Sequence, residues 1–350
     1  MTRIVIRADA GTVPKIGTGH IVRTIKLTDA LRRSPAFQDS EVLFATREHP
    51  PYELGGRLVG QAGYTVISNS DLEPNSKSEL RSILRAQPNV VILDRLETEA
   101  AFVLGLKNAG IFVVTFDDLG KGQLYADLAV HPLLQNVEPK PKVFVGYEYL
   151  FPISDEIIRS ETRKHASKVF VSFGGFDHRQ LNTYFLNLIP KIHGPKRYEI
   201  IVSGLDSHNL NNMVDFASTV EARSHVEIVV HQRPIDFYKL LCTSDMAIVS
   251  GGLTAFGCAQ AGVPAIGVPQ YEHQLENLKR LEKHGCLKSG ARNMELDSEL
   301  LSSLVTDMSM NYTERFAMSQ AGMKVIDGKG LARTVNLIAQ TYRSWCGGPQ

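Results

Sequence analysis

Two glycine-bearing turns, about a domain apart, constrain this chain more than any other feature. The first, Gly17-Thr18-Gly19-His20-Ile21-Val22-Arg23, comes soon after the apolar run Ile4–Arg7. The second, Ser250-Gly251-Gly252-Leu253-Thr254, follows Met246-Ala247-Ile248-Val249 directly. In both, an apolar strand pattern runs into glycine and then into a helical pattern. A helix that starts this way has backbone N–H groups with no intrahelical partner, and these can hold a phosphate or a developing negative charge. One such turn says little. A pair spaced this far apart points to two α/β domains facing a cleft that holds a nucleoside diphosphate.

The rest of the pattern agrees. Strand candidates in the first half are Ile4–Arg7, Glu41–Ala45, Tyr64–Ile67, Val90–Leu93 and Ile111–Thr115, with Asp127–Val130 and Lys142–Tyr147 as further ones. Helical stretches at His20–Arg33, Lys77–Ala86 and Thr98–Ala109 separate them. Short, continuously apolar strands are what a parallel sheet covered on both faces requires, and strand–helix alternation predicts a doubly wound sheet. Pro139 and Pro141 precede Ser154–Glu161, which reads as a connecting helix capped by Ser154, and the domain boundary is expected there. The alternation then restarts. Strands are expected at Lys168–Phe173, Tyr198–Ser203, Val226–Val230, Asp245–Val249 and Pro264–Val268, and helices at Gln180–Ile192 and Leu275–His284. Glu299–Arg343 reads as broken helix, and its last part, Ala332–Trp345, is long enough to cross back onto the first domain.

At 350 residues, 43% of them hydrophobic, the chain can fill two cores. A net charge of +1 gives no support for bulk nucleic-acid binding. No stretch approaches the roughly 18–20 apolar residues that span a bilayer, and the first strand runs into charge without a signal peptide's apolar core. A soluble, cytoplasmic protein is expected. Cys242, Cys258, Cys286 and Cys346 form no C-x-x-C pair, so neither a metal nor a cofactor is expected. No feature fixes an oligomeric state.

Several residues at strand ends carry candidate chemistry. His20 sits in the first turn of a helix beside two glycines that clear space. Its ordinary pKa of roughly 6.5 suits acid–base work near neutrality, and the helix dipole favours the neutral ring that a general base needs. The alternative is a histidine at a surface helix start. Arg23, one turn on, either faces a phosphate or pairs with Asp29 or a neighbouring acid. Gly174-Gly175 either admits a ligand to the backbone or makes a tight turn. The backbone of Leu253 and Thr254 and the Thr254 hydroxyl can donate to phosphate oxygens. The pattern is neither a Walker loop nor a dinucleotide fingerprint. Gln274, opening another helix, either bonds a sugar or phosphate or is a surface residue. Asp94 and Asp9 end strands and point to the cleft rim. Asp117-Asp118 are directed apart by backbone alternation, so a turn role for Asp118 is favoured over a metal pair.

Ile6-Arg7-Ala8-Asp9 with Ile16 to Arg23, Val114-Thr115-Phe116-Asp117-Asp118-Leu119-Gly120, Phe144-Val145-Gly146-Tyr147, Val171-Ser172-Phe173-Gly174-Gly175-Phe176-Asp177 and Ser250 to Thr254 follow one another in the order of a known pattern. From about Ile4 to about Gly285 the chain resembles the PseG/SpsG group. That group contains the UDP-sugar hydrolase of the pseudaminic acid pathway and the spore-coat polysaccharide protein SpsG. The resemblance implies a GT-B fold, two Rossmann-like doubly wound domains facing a cleft, related to the lipid-forming glycosyltransferase MurG. It implies a sugar- or acceptor-side domain over 1–153, a nucleotide-binding domain over 154–330 and a returning helix over 331–350. It also implies that His20 activates water, and that Gly251, Gly252, Leu253 and Thr254 hold the diphosphate of a UDP-sugar or related donor. Gly17, Gly19, Arg23, Asp94, Gly174, Gly175 and Gln274 complete the expected sugar and phosphate site.

Three departures stand out. Gly257 occupies the position of the group's ribose-binding glutamate, Asp94-Arg95-Leu96 replaces a D-x-Y motif, and Phe151 stands where an arginine is common. The function implied is a nucleotide-sugar hydrolase acting on a modified acetamido sugar in surface polysaccharide or nonulosonic acid biosynthesis. A GT-B glycosyltransferase and a non-catalytic nucleotide-sugar-binding subunit are the alternatives.

Overall fold

The structure is a computed structural model. It describes all residues except 12–15, 68–71, 134–141, 153, 155–157, 176, 204, 233 and 348–350. The chain divides into two compact units, Met1–Phe151 with Lys329–Gln350 and Pro152–Gly328. The last helix belongs with the first unit.

Unit 1 holds strands β1 (Arg3–Ala8), β2 (Glu41–Ala45), β3 (Thr65–Val66), β4 (Val90–Asp94), β5 (Phe112–Phe116), β6 (Leu128–His131) and β7 (Val143–Val145). They form one parallel sheet in the order β3-β2-β1-β4-β5-β6-β7. Helices α1 (Gly19–Arg33), α2 (Leu54–Gln61), α3 (Lys77–Arg85) and α4 (Ala100–Asn108) connect them. One face buries Ile4, Ile6, Val90, Ile92, Phe112 and Val114 under Leu27 and Leu31 of α1. The other buries Val5, Val91, Leu93 and Val113 under Ile83 of α3 and Phe102, Val103 and Leu106 of α4. Alternate residues of each strand therefore enter different cores. This explains the largely apolar runs: both faces of the sheet are covered, and the polar residues its strands do carry, such as Arg7 and Asp94, are buried with internal partners. Truncating one fully buried ring such as Phe112 to alanine costs about 3–5 kcal/mol.

Unit 2 repeats the plan with β8 (Lys168–Ser172), β9 (Arg197–Val202), β10 (Glu227–Gln232), β11 (Met246–Val249), β12 (Ala265–Gly267) and β13 (Lys288–Ser289). Their order is β10-β9-β8-β11-β12-β13, again parallel. Helices α5 (Leu181–Leu188), α6 (Ser207–Ser224), α7 (Phe237–Cys242), α8 (Leu253–Ala261), α9 (Glu272–Lys283), α10 (Ser298–Met310) and α11 (Tyr312–Val325) belong to it. The final helix, α12 (Gly330–Gly347), buries Val335, Ile338 and Ala339 in the first core of unit 1.

In each sheet the strand order reverses beside the first strand, between β1 and β4 and between β8 and β11. Ligands of open α/β sheets bind outside the carboxyl ends at such a reversal. Of the connecting helix expected over Ser154–Glu161, residues 158–161 are non-helical, and 155–157 lie outside the described residues. No described helix is long and apolar enough to cross a membrane.

Candidate functional site

The carboxyl edge of unit 1 carries a chain of hydrogen-bonded polar side chains. Helix α1 starts at Gly19 after Thr18, with no side-chain cap and no acid in its first turn. His20 Nδ1 lies 2.6 Å from Oδ1 of Asp94, the last residue of β4. Asp94 is fully buried. Arg23, one turn along α1, grips the same carboxylate with a fork: Nη2 donates to Oδ1 at 2.6 Å and Nε to Oδ2 at 2.7 Å. Its remaining Nη1 donates to Asp117 Oδ2.

Burial alone would raise the Asp94 pKa. The Arg23 charge, and then His20, override it and hold the carboxyl at about 2. Burial would likewise lower the Arg23 pKa, but Asp94 and Asp117 push it above its ordinary value. An ionised Asp94 can only accept, so the proton between it and the imidazole belongs to Nδ1. The lone pair of the ring is then on Nε2, and the side chain keeps 18% of its surface exposed. A buried carboxylate that fixes the tautomer of a partly exposed imidazole is the arrangement of a general base.

This geometry assigns the sequence candidates. His20 and Asp94 come together. Arg23 takes the ion-pair alternative, with Asp94 and Asp117 as partners, while Asp29 accepts from the Tyr64 hydroxyl. Gly19 opens α1, and the exposed Gly17 has no atom within 4 Å of where a Cβ would sit. Asp9 is not at the rim: it is buried, and accepts from Arg7 Nη1 at 2.6 Å and from Arg47 N and Nε at 2.9 and 3.0 Å. Arg7 extends this internal network to Glu79, which also accepts both bonds of Arg95 Nη1 at 2.9 Å. Asp118 serves a turn, with Oδ1 accepting from the N–H groups of Thr98 and Gly120 at 2.9 and 2.8 Å.

In unit 2, Gly174 and Gly175 after β8 and Thr254 in the first turn of α8 border one cavity of about 290 Å³. Hydroxyl-bearing Ser172, Ser203 and Thr254, the glycines Gly174 and Gly175, and apolar Ile201, Pro234 and Phe237 line it. Gly174 has φ +87°, a conformation side-chain-bearing residues avoid, and a Cβ there would lie 3.6 Å from Ser250 Oγ. Helix α8 starts after Gly252, whose backbone is extended and which offers no side-chain cap. Gly251 is pressed against α9: a Cβ would come within 2.3 Å of the Gln274 carbonyl oxygen. Asn277 Nδ2 donates to the Gly251 carbonyl at 3.0 Å. Gln274 Oε1 accepts from Gln270 N at 2.9 Å, which orients its Nε2 to within 3.7 Å of a Cβ built on Gly252. Donors therefore gather at the start of α8.

A second, wider cavity of about 560 Å³ lies by the start of α9 and is lined by Glu272, Glu276 and Glu295 among others. Three carboxylates repel a diphosphate, so the uncharged cavity is the better anion site. Gly257 is buried within α8, and no carboxylate stands among the described residues lining the smaller cavity. No group of three or more His, Cys, Asp or Glu gathers to hold a metal among the described residues.

The sequence did not single out Ser203, Pro234, Phe237 or His131. Ser203 follows the carboxyl end of β9, a position the strand-end rule singles out. The Arg23–Asp117 pair spans 94 positions and has no local signature.

No family model matches the chain. It is 25% identical over 299 residues to an uncharacterized protein of Methanocaldococcus jannaschii, covering 77% of this chain and spanning 57% of that protein's length. It is 23% identical over 344 residues to the spore coat polysaccharide biosynthesis protein SpsG of Bacillus subtilis, covering 93% of this chain and 95% of that one. MurG of Acinetobacter baumannii superposes with a TM-score of 0.72 at 15% identity, over 97% of this chain and 100% of that one. The fold is GT-B. The UDP-GlcNAc 2-epimerase of Neisseria meningitidis, solved with UDP-GlcNAc bound, is also similar, with a TM-score of 0.61 at 14% identity over 97% of this chain and 100% of that one. GT-B neighbours thus include different chemistries, and the site residues must decide among them.

Proposed function

We propose that the chain is a nucleotide-sugar enzyme of surface polysaccharide biosynthesis, and specifically a hydrolase that releases a nucleoside diphosphate from a modified acetamido sugar. The observation that carries this reading is the 2.6 Å contact between His20 Nδ1 and the fully buried Asp94, which leaves Nε2 to act as base. His20 Nε2 takes a proton from water as the water oxygen attacks the anomeric carbon. The bond from that carbon to the diphosphate oxygen breaks, and its electron pair leaves with the diphosphate. Within unit 2, the backbone donors of Leu253 and Thr254 at the start of α8, with Gln274 Nε2, suit a diphosphate. Cavity-lining Gly174, Gly175, Ser203 and Phe237 take the nucleoside. The similarity to SpsG of Bacillus subtilis supports the biosynthetic setting, and the UDP-GlcNAc-bound epimerase supports UDP as the nucleotide.

A positioned general base contributes roughly 10²–10⁴-fold, and preorganised donors at a developing charge contribute a similar factor. The same dyad can deprotonate a sugar hydroxyl in place of water, which is the transferase alternative. Incubating the purified protein with a panel of nucleotide sugars, in water and without acceptor, separates the two. Equimolar nucleoside diphosphate and free sugar is the expected result. Release only when an acceptor is added makes the enzyme a transferase, and UDP binding without turnover of any donor makes the chain a binding subunit.

A further inference from the structure

We propose that Asp117 is a positioning residue of the His20–Asp94 dyad, neutralising Arg23 so that the charge of Asp94 remains available to the imidazole. The proposal rests on the reading of His20 as the base.

The charges make the case. Arg23 holds Asp94 through both carboxylate oxygens. Taken alone, that pair sums to zero, and an imidazolium formed on His20 would face no net negative charge. Arg23 Nη1 also binds Asp117, so Asp94, Arg23 and Asp117 together carry one negative charge. That charge is what an imidazolium needs as the proton arrives.

Asp117 is itself fixed. Its N–H donates to the Val130 carbonyl at 3.0 Å, and its Oδ1 accepts from Leu133 N at 2.9 Å. The residue has φ +43°, in the left-handed region that glycine adopts more easily. A side chain kept in a strained backbone at a strand's carboxyl end points to a functional constraint. Among the described residues, the charged and titratable groups seen facing the pair are Arg23 from α1, Asp94 from β4 and His131 from β6. His131 is fully buried, with no hydrogen-bond partner on either ring nitrogen among the described residues, and burial holds its pKa below the ordinary range. It therefore adds no cation near neutral pH, and Arg23 is left as the cation between the two acids. Asp118 is turned toward Thr98 and Gly120 and takes no part.

The test is Asp117→Asn, with Asp117→Gly as a second variant that suits the left-handed backbone. Turnover is followed from about pH 5 to about pH 9, the range in which histidine titrates. The ring signals of His20, assigned by difference from His20→Gln, are titrated by NMR in parallel. The expected loss is about 10- to 100-fold in kcat, the scale of a slightly misplaced catalytic group, with KM changed by no more than about twofold. The acid limb of activity and the ring titration both move to lower pH. In an Arg23→Gln background, adding Asp117→Asn costs no more than about twofold further, because the two act as one unit.

A loss under about threefold, or one that is additive with Arg23→Gln and leaves the acid limb in place, overturns the proposal. If the unaltered protein turns over no nucleotide sugar, the hydrolase reading fails. The ring titration then decides alone: movement to lower pH in the variant supports the Asp117 role, and an unchanged titration overturns it.

Discussion

His20 and Asp94 lie 74 positions apart in the sequence and 2.6 Å apart in space. The contact exists because α1 follows β1 and β4 lies next to β1, so a helix start and a strand end meet where the strand order reverses. The fold brings together two residues that share no local motif.

Replacing Asp94 with asparagine keeps the shape and removes the charge. Asparagine can present its amide nitrogen to the ring, so the tautomer is no longer fixed. The expected loss in kcat is about 10²–10⁴-fold, with UDP affinity unchanged. Half of the Arg23 pairing also disappears, which costs about 3 kcal/mol of stability. Steady-state kinetics and chemical denaturation of the same preparation check both.

Acid should destabilise both units over one window. Asp94 has its carboxyl held at about 2 against an ordinary 3.8. Glu199, in unit 2, is also held at about 2, against 4.5: burial opposes this, but bonds from His231 Nε2 at 2.6 Å and Arg197 Nε at 2.8 Å prevail. A carboxyl that binds protons less readily when folded contributes stability that is complete above its unfolded pKa. That stability is lost as pH falls through the folded value. Urea midpoints should therefore decline as pH drops from about 4.5 to about 2, and Asp94→Asn should flatten part of the decline. Midpoints independent of pH in that window would contradict both assignments.

The two glycines before α8 should answer differently to alanine. At Gly251 a Cβ lands 2.3 Å from the Gln274 carbonyl oxygen, so Gly251→Ala must shift α9 and destabilise by about 1–3 kcal/mol. At Gly252 the nearest atoms lie 3.7 and 3.9 Å away, and the backbone suits alanine. Gly252→Ala should leave the melting temperature in place but crowd the helix start, lowering UDP affinity about tenfold. Melting curves and calorimetry on the two variants separate the effects, and equal UDP affinity in Gly252→Ala and the parent would remove the diphosphate from this turn.

The doubly wound halves were legible because buried parallel strands are continuous apolar runs, and β1, β2, β4, β5, β8 and β11 fall within about two residues of the sequence reading. Other elements carried no comparable signal. Helix α6 spans 18 residues, and its apolar Leu210, Met213, Ala217 and Val220 recur at helical spacing, but the polar run Ser207, His208, Asn209, Asn211 and Asn212 around Leu210 obscures its start. Helix α2 contains Gly55, Gly56 and Gly60, which read as loop. Ser154–Glu161 had a cap residue and an apolar pair, yet a cap favours a helix only where packing supports it. At the site, His20 and Asp94 stood out by position at a helix start and a strand end. Their mutual contact, the capture of Arg23 by two acids, and the withdrawal of Asp9 into the Arg7 network are long-range pairings that one-dimensional spacing does not encode.

The central claim is that the His20 ring moves the proton in the reaction. Its most direct test is turnover and UDP binding measured on one sample of His20→Ala, with the best donor from the panel. The account predicts a fall in kcat of at least about 10²-fold with the UDP dissociation constant within about twofold of the parent. A variant that turns over donor at the parent's rate would contradict it.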